Sequence, residues 1–556
     1  MREMSTLQTN PLGPDEHCAS LRRLEISRVN DKPYGDAWGG ALRAFLVAFA
    51  MVMVAGCATL PKEVERQSSE AVEASQATTL GKIATISSPA EELSGFRLMP
   101  VGSYALNTRV TLARMAEKSL DVQYYLVSDD QTGRYLLRQL RDAALRGVRV
   151  RLLVDDLYSA GEDSLFLGLR AYPNVEVRLF NPFPGGRSGF LSRFAASPFE
   201  IERLNHRMHN KLFVADGAMA VAGGRNIADE YFQRSNTENF VDLDSFVCGA
   251  VVPQLEQIFD DYWNSEYVYP LESIAHTDRS QEELREDFER RTGPASTPDP
   301  EPLPATDTLG YGPLADDLER GRLGLTWAPA FAYADRPSKI SMEKSFAEDS
   351  VQYNLLELMR KAKSEVDISS PYLIPGPSGM SMIRDDRKRG VTIKILTNSL
   401  AATDEPVVHI GYSHYRRAML DAGVELAELS PSRIKTAKRL GMFGTSIGRL
   451  HAKLAVIDRQ TLFIGSMNFD PRSAHKNTEL GIIIESKPLA KEVMRLLEIA
   501  RYQSAYTLRL MKNTNEIEWL NIEDDDAMVQ HDEPDSGFWL RLELELLTPL
   551  APEELL

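Results

Sequence analysis

Residues 207–226 read RMHNKLFVADGAMAVAGGRN, and residues 449–468 read RLHAKLAVIDRQTLFIGSMN. Each stretch holds His, one residue, Lys, four residues and Asp, followed after six residues by Gly-Gly or Gly-Ser, one residue and Asn. A chain of 556 residues with nine histidines does not produce two such copies, with tails at equal offsets, by accident. The apolar run after each Lys predicts a strand. Residues i and i+2 of a strand share a face, so His209 with Lys211 and His451 with Lys453 are expected to point into a common cleft.

The repeat extends outward from these stretches. SLDVQYY (119–125) and RGVRVRLLVDD (146–156) have partners in SEVDISSPY (364–372) and RGVTIKILTN (389–398). From Gly147 to His209 is 62 positions, and from Gly390 to His451 is 61. Internal repetition of this kind means one structural unit written twice. Short β-branched runs (148–154, 391–396, 454–457) alternate with helical patterns (133–145, 414–422), which predicts α/β units on a largely buried sheet. The expected fold is two tandem α/β lobes with pseudo-twofold symmetry and one shared active site. Its expected divisions are 1–57, an N-terminal extension and signal-like segment; 58–90, a flexible tether; 91–275, the first lobe; 276–345, a linker or insertion; 346–512, the second lobe; and 513–556, an acidic and amphipathic tail.

Composition narrows the function. The formal charge of −17 argues against a protein that covers nucleic-acid phosphates, a task that requires clustered Lys and Arg. Three cysteines, Cys18, Cys57 and Cys248, supply neither a disulfide framework nor a thiolate zinc site. Residues 44–61, AFLVAFAMVMVAGCATLP, carry no charge and are short for the ~20 residues that span a bilayer. They read as a signal h-region. The ending Val54-Ala55-Gly56-Cys57 resembles the bacterial lipobox, in which the cysteine is lipidated and becomes the mature N-terminus. That reading anchors the chain in a membrane with its body on the periplasmic side; the alternative is a single-pass or peripheral inner-membrane protein.

His, Lys and Asn together suit displacement at phosphorus. A neutral imidazole is a nucleophile, and Lys and Asn (Asn226, Asn468) donate hydrogen bonds to phosphate oxygens as charge builds on them. One copy supplies half a site. With the lobes face to face, one imidazole attacks while the other gives a proton to the leaving alkoxide. Each imidazole needs an acceptor on its second nitrogen. Glu479 is the candidate for His451. Aligning DLDSFV with ELGIII selects Asp242 for His209, with Glu238 as competitor. Asp216 and Asp458 either join the reactive set or lock the turn after each strand. A metal is not expected, because each His is accompanied by a cationic Lys. His206, His409, His414 and His475 read as surface or core histidines, with His409 and Tyr412 also candidates to border the alcohol site. The segments 181–211 and 433–453 mix basic and aromatic residues beside the motifs, as an anionic headgroup at an interface requires.

HNKLFVAD with GGRN, and HAKLAVID with GSMN, resemble the paired HxKxxxxD signatures of the phospholipase D superfamily. LDVQYY, RLFNPF, RLNHRMHNK, ILTNSLAATDEPVVHIGY and IGSMNFDPRS resemble the bacterial cardiolipin synthases over roughly residues 95–510. That resemblance implies a phosphohistidine intermediate, no metal or other cofactor, and transfer of a phosphatidyl group to an alcohol. Carried over residue by residue, it assigns His209, Lys211, Asp216 and Asn226 to one signature, and His451, Lys453, Asp458 and Asn468 to the other. The expected partners are membrane phospholipids: phosphatidylglycerol, with phosphatidylethanolamine as a second lipid, and no nucleic acid. The rival readings are a phospholipase D that hydrolyses to phosphatidic acid, a phosphodiesterase acting on nucleic acid, and a non-catalytic binding lipoprotein. The lipobox-like leader departs from the family pattern.

Overall fold

The computed structural model describes residues 59–341, 348, 350–434, 446–514, 516–523 and 526–537. Its first sheet has nine strands in the order Thr326–Ala328, Ser94–Met99, Asp244–Gly249, Met219–Gly223, Leu212–Ala215, Ser119–Tyr124, Arg149–Asp155, Val175–Phe180 and Val268–Pro270. The second has ten: Ala330–Ala334, Leu480–Glu485, Thr461–Gly465, Lys453–Ile457, Glu365–Ser369, Thr392–Asn398, Glu425–Leu429, Ala505–Leu510, Ile517–Glu523 and Asp526–Gln530. The middle of one sheet repeats the middle of the other. In each, two parallel crossovers follow the strand that lies antiparallel beside the His-Lys strand. Both faces of these strands are buried: every residue of Leu212–Ala215 and Lys453–Ile457, and all of Arg149–Asp155 but Arg149, is buried, with the buried Arg151 paired to Asp121.

Two expected divisions, 58–90 and 276–345, differ in character from what the structure shows. The stretch read as a flexible tether is built into the body from residue 59 onward. The Ala71 N–H donates to Asp260 (2.7 Å), and helix Thr79–Ser87, capped by Thr78, buries Leu80 and Ile83. Its polar composition misled because backbone and capping bonds, more than apolar bulk, hold it down. The linker is likewise structured. Helix Gln281–Thr292 carries a capping box and packs Leu284 and Phe288 against helix Asp163–Arg170. A Cβ at Gly168 would lie 2.8 Å from Phe288, so that close approach requires glycine. The linker then gives one edge strand to each sheet, Thr326–Ala328 and Ala330–Ala334, crossing between them at Pro329. The tail begins as a hairpin that extends the second sheet, and Glu533 pairs with Arg416 at 2.6 Å. Residues 538–556 and the signal-like segment with Cys57 lie outside the described residues. Among the described residues no helix is long and apolar enough to cross a membrane.

Candidate active site

Each histidine precedes its strand rather than lying in it: the strands run Leu212–Ala215 and Lys453–Ile457. Backbone bonds to the opposite lobe hold the two imidazoles. The His209 N–H donates to Thr478 O (2.8 Å), and Thr478 N–H returns a bond to Arg207 O (2.8 Å). In the other half, strand Ile447–Leu450 pairs in parallel with Glu238–Val241, and the His451 N–H donates to Val241 O (2.8 Å). The residue that follows Thr478 is Glu479, and the one that follows Val241 is Asp242. Register therefore delivers each carboxylate to the histidine of the other lobe.

This corrects the pairing expected within each half. The Nδ1 of His209 lies 2.9 Å from Glu479 Oε2, and the Nδ1 of His451 lies 2.6 Å from Asp242 Oδ2. Glu238, the competitor of Asp242, pairs with Arg449 at 2.7 Å. Two positioning residues escaped the sequence reading. The Asp155 carboxylate accepts from the N–H of Met208 (2.8 Å), the residue before His209. Asn398 accepts from Leu450 N–H (2.8 Å) and donates to Leu450 O (2.9 Å), clamping the residue before His451. Their signal was present in the repeat, since both stand at the C-terminal end of the strand after RGV.

Both lysines fold back. Lys211 Nζ donates to His209 O and Lys453 Nζ to His451 O, each at 2.6 Å, which leaves two ammonium hydrogens for a ligand. Asn226 donates to the Tyr231 hydroxyl (3.0 Å), and the Oδ1 atoms of Asn226 and Asn468 are buried without a partner. Tyr125 stands edge-on to His209 and Tyr231 to His451, both at 5.0 Å between ring centres; neither had been singled out.

Asp216 and Asp458 do not join this group. Each lies at the far end of its strand in the left-handed region (φ 51°), where its carboxylate accepts three consecutive backbone N–H groups, Glu117 to Ser119 or Lys363 to Glu365. They lock the turn. The other histidines divide as follows: His206 Nδ1 bonds to Glu202 O, His409 Nε2 lies 2.9 Å from Arg416, and His414 and His475 are exposed. His409 and Tyr412 belong to a buried network with Arg416, Glu428 and Glu533, and they also line a small cleft with Tyr372 and Asn398. The arginines of segment 181–211 are not free for a headgroup. Arg187 bridges Asp156 and Asp163, Arg193 is buried against Asp156, and Arg203 pairs with Glu200. In segment 433–453, residues 435–445 lie outside the described residues.

The two imidazole–carboxylate pairs differ electrostatically. Burial raises Asp242, but His451 and Lys453 outweigh it and hold the carboxyl at about 2. Burial lifts Glu479 to about 7 against the pull of Lys211 and the Ser466 hydroxyl. His451 is lowered to about 4 by burial and Lys453, with Asp242 opposing. His209 is held well below its ordinary value by burial, Lys211, Lys453 and Arg472. Lys453, lowered to about 8 by burial, thus acts on both imidazoles, so the two motifs form one electrostatic site. Two neutral imidazoles, each fixed through Nδ1, with two ammonium groups beside them, can bind and attack a phosphodiester. Among the described residues no group of three or more His, Cys, Asp or Glu side chains is arranged to hold a metal.

The chain is 39% identical to cardiolipin synthase C of Escherichia coli over 81% of its length and 94% of that protein. It is 26% identical to cardiolipin synthase A of Pseudomonas fluorescens, over 75% of this chain and 72% of that one. Among solved structures, the phosphatidylserine synthase of Haemophilus influenzae shares the fold, with a TM-score of 0.54 at 13% identity over 83% of this chain and 95% of the other. The family described as "Cardiolipin synthase, PLD-like domain" matches residues 110–263 and 355–499, one stretch in each lobe, and the chain belongs to that family.

Proposed function

We propose that the protein is a phosphatidyltransferase that makes cardiolipin from phosphatidylglycerol and a second phospholipid through a phosphohistidine. The observation that carries this reading is the crossed pair of imidazole–carboxylate contacts, His209 with Glu479 and His451 with Asp242, in a chain 39% identical to a cardiolipin synthase. Each carboxylate accepts the Nδ1–H of its imidazole and leaves the Nε2 lone pair for phosphorus or for a proton.

The difference between the pairs supports one assignment of the roles. Asp242 stays ionised and in close contact with His451, which stabilises an imidazolium there, so His451 is the acid. His209, beside a carboxyl with a raised pKa, stays neutral and is the nucleophile. His451 enters the step as the imidazolium, its Nε2 having taken up a proton from solvent as the anionic phosphodiester binds; His209 Nε2 then attacks phosphorus, the bond from phosphorus to the headgroup oxygen breaks, and His451 gives that proton to the departing alkoxide. The free glycerol hydroxyl of phosphatidylglycerol then gives its proton to His451 and takes the phosphatidyl group from His209, forming cardiolipin. Lys211 and Lys453, with Asn226 and Asn468, surround the phosphate oxygens. Cys57 is the proposed lipidation site, with the catalytic body outside the cytoplasm.

The test uses purified protein with vesicles of labelled phosphatidylglycerol, alone and mixed with phosphatidylethanolamine. Cardiolipin is the expected main product, with free glycerol or ethanolamine released alongside it. Phosphatidic acid as the dominant product in every mixture would replace the synthase by a phospholipase D. Mass spectrometry of the mature N-terminus checks the anchor, for which an unmodified Cys57 preceded by Gly56 is the contrary result.

A further inference from the structure

The exposed apolar side chains are unevenly distributed. Of the large hydrophobic residues that are solvent-exposed, Tyr158, Phe190, Leu191, Phe199 and Ile201 fall in or against one loop, residues 181–207, and Leu191 (82%) and Phe199 (83%) are nearly bare. The loop folds into helices Phe190–Ala195 and Ile201–Leu204.

Two features distinguish this surface from a loose loop. The first is a frame of buried charge. Arg187 bridges Asp156 and Asp163, Arg193 is wholly buried and donates to Asp156 O, and the Ser192 hydroxyl bonds to Gly186 O (2.6 Å) and Gly189 O (2.8 Å). The frame holds the apolar side chains outward instead of letting them collapse onto the body. The second is continuity with the site. Ring centres run from His209 to Tyr125 (5.0 Å), Tyr125 to Tyr158 (5.3 Å), Tyr158 to Phe190 (6.3 Å) and Phe190 to Phe194 (5.2 Å). An apolar path therefore leads from the exposed loop to an imidazole.

Arg66 donates to Val268 O (2.7 Å), next to Tyr267, whose carbonyl accepts the N–H of Asn181 at the start of this loop. Arg66 also lies 4.5 Å from the Tyr269 ring centre.

We propose that Leu191, Phe199 and Ile201, backed by Phe190 and Tyr158, insert into the headgroup–acyl boundary of a phospholipid bilayer and place the cleft over it. The proposal rests on the phospholipid reading above. It also says how the surface binds. The net charge of −17 is repelled by anionic lipid, and the loop's arginines are already paired within the protein. Docking is therefore driven by apolar burial rather than by attraction to anionic headgroups, and salt, which screens the residual repulsion, does not weaken it.

The test compares the full chain with its Leu191→Glu/Phe199→Glu variant, both of which have to show the same thermal midpoint. Headgroup release is measured from long-chain phosphatidylglycerol in vesicles and from dihexanoyl-phosphatidylglycerol below its micellar concentration. Vesicle turnover is expected to fall about tenfold or more, because two large side chains no longer bury apolar area. Turnover of the monomeric lipid is expected to stay unchanged, and the vesicle rate of the parent chain not to fall between low and high salt. Headgroup release counts transfer and hydrolysis alike, so a failed synthase reading and a failed docking reading are distinguishable. Equal loss on both substrates, no loss on vesicles, or a vesicle rate abolished by salt would each overturn the proposal. So would a change of oligomeric state in the variant at unchanged vesicle turnover, which would make the surface an interface between copies.

Discussion

The two lobes present the same imidazole to the same kind of partner, yet the pairs are built differently. Where the second lobe has Ser466, the first has Gly224. A Cβ on Gly224 would come within 2.2 Å of Asp242 Oδ1, so glycine there is what lets the shorter carboxyl sit close to its backbone and reach His451. In the other pair the Ser466 hydroxyl donates to the Glu479 oxygen that also faces His209, while the second Glu479 oxygen is buried without a partner. A repeated fold thus yields one acid held at about 2 and another at about 7. Duplication gives symmetric placement, while the balance of burial against local charge differs: His451 and Lys453 outweigh burial at Asp242, and burial outweighs Lys211 and Ser466 at Glu479.

The largest expected effect tests whether the halves form one site at all. Changing His209 or His451 to Ala is expected to lower turnover about 10⁴-fold or more in either case, because nucleophile and acid act as a unit. Near-normal activity after one change but not the other breaks the shared-site account.

The next sharpens the difference between the pairs. Asp242→Asn removes the anion that supports the His451 imidazolium and is expected to cost about 10³- to 10⁴-fold in kcat. Glu479→Gln is expected to cost about a hundredfold or less, since Glu479 already stands near neutrality. Equal losses, measured side by side on the same vesicles, would mean the two carboxylates are equivalent.

Asp216→Ala and Asp458→Ala separate fold from chemistry. Each releases backbone N–H groups that the carboxylate had satisfied, so stability is expected to drop by about 1–3 kcal/mol while kcat per folded molecule stays within a few-fold. A loss of kcat with unchanged Tm would return these residues to the reactive set.

A pH series refines the comparison further. The pKa of Glu479 is raised on folding from 4.5 to about 7, so the folded state binds the extra proton. That contribution is complete below about 4.5 and is lost as pH rises through about 7, by at most about 3 kcal/mol. Asp242, depressed from 3.8 to about 2, behaves in the opposite way: its contribution is present above 3.8 and is lost as pH falls toward 2. The Tm of Glu479→Gln relative to the parent chain is therefore expected to be more favourable at pH 7 than at pH 5; a difference independent of pH would remove the assignment. The smallest effect is Ser466→Ala, which is expected to change kcat only a few-fold, because it removes one neutral donor from Glu479.

Much of the architecture was legible because it is local. Apolar runs such as Leu212–Ala215 and Lys453–Ile457, and the shared RGV-strand pattern, declare strands through burial alone. Stretches whose order depends on remote partners were not legible. Residues 58–90 read as a tether because Leu80 and Ile83 find their cover on another part of the chain, and the linker read as loop because its two edge strands are short and pair far away in sequence. Asp155 and Asn398 were visible as repeat positions, but nothing local says that they clamp the residue before each histidine.

By itself the sequence determined that one unit is written twice and that each copy carries His, Lys and Asn at matching offsets; hydrophobic period and residue spacing suffice for that. Only the tertiary structure decided which carboxylate serves which imidazole. The answer is the crossed one, because strand Ile447–Leu450 pairs with Glu238–Val241, and Met208 with Thr478, across the lobes. A backbone ladder between distant segments fixes register to the residue, so it sets His451 against Asp242 and His209 against Glu479. No spacing within either copy encodes that ladder.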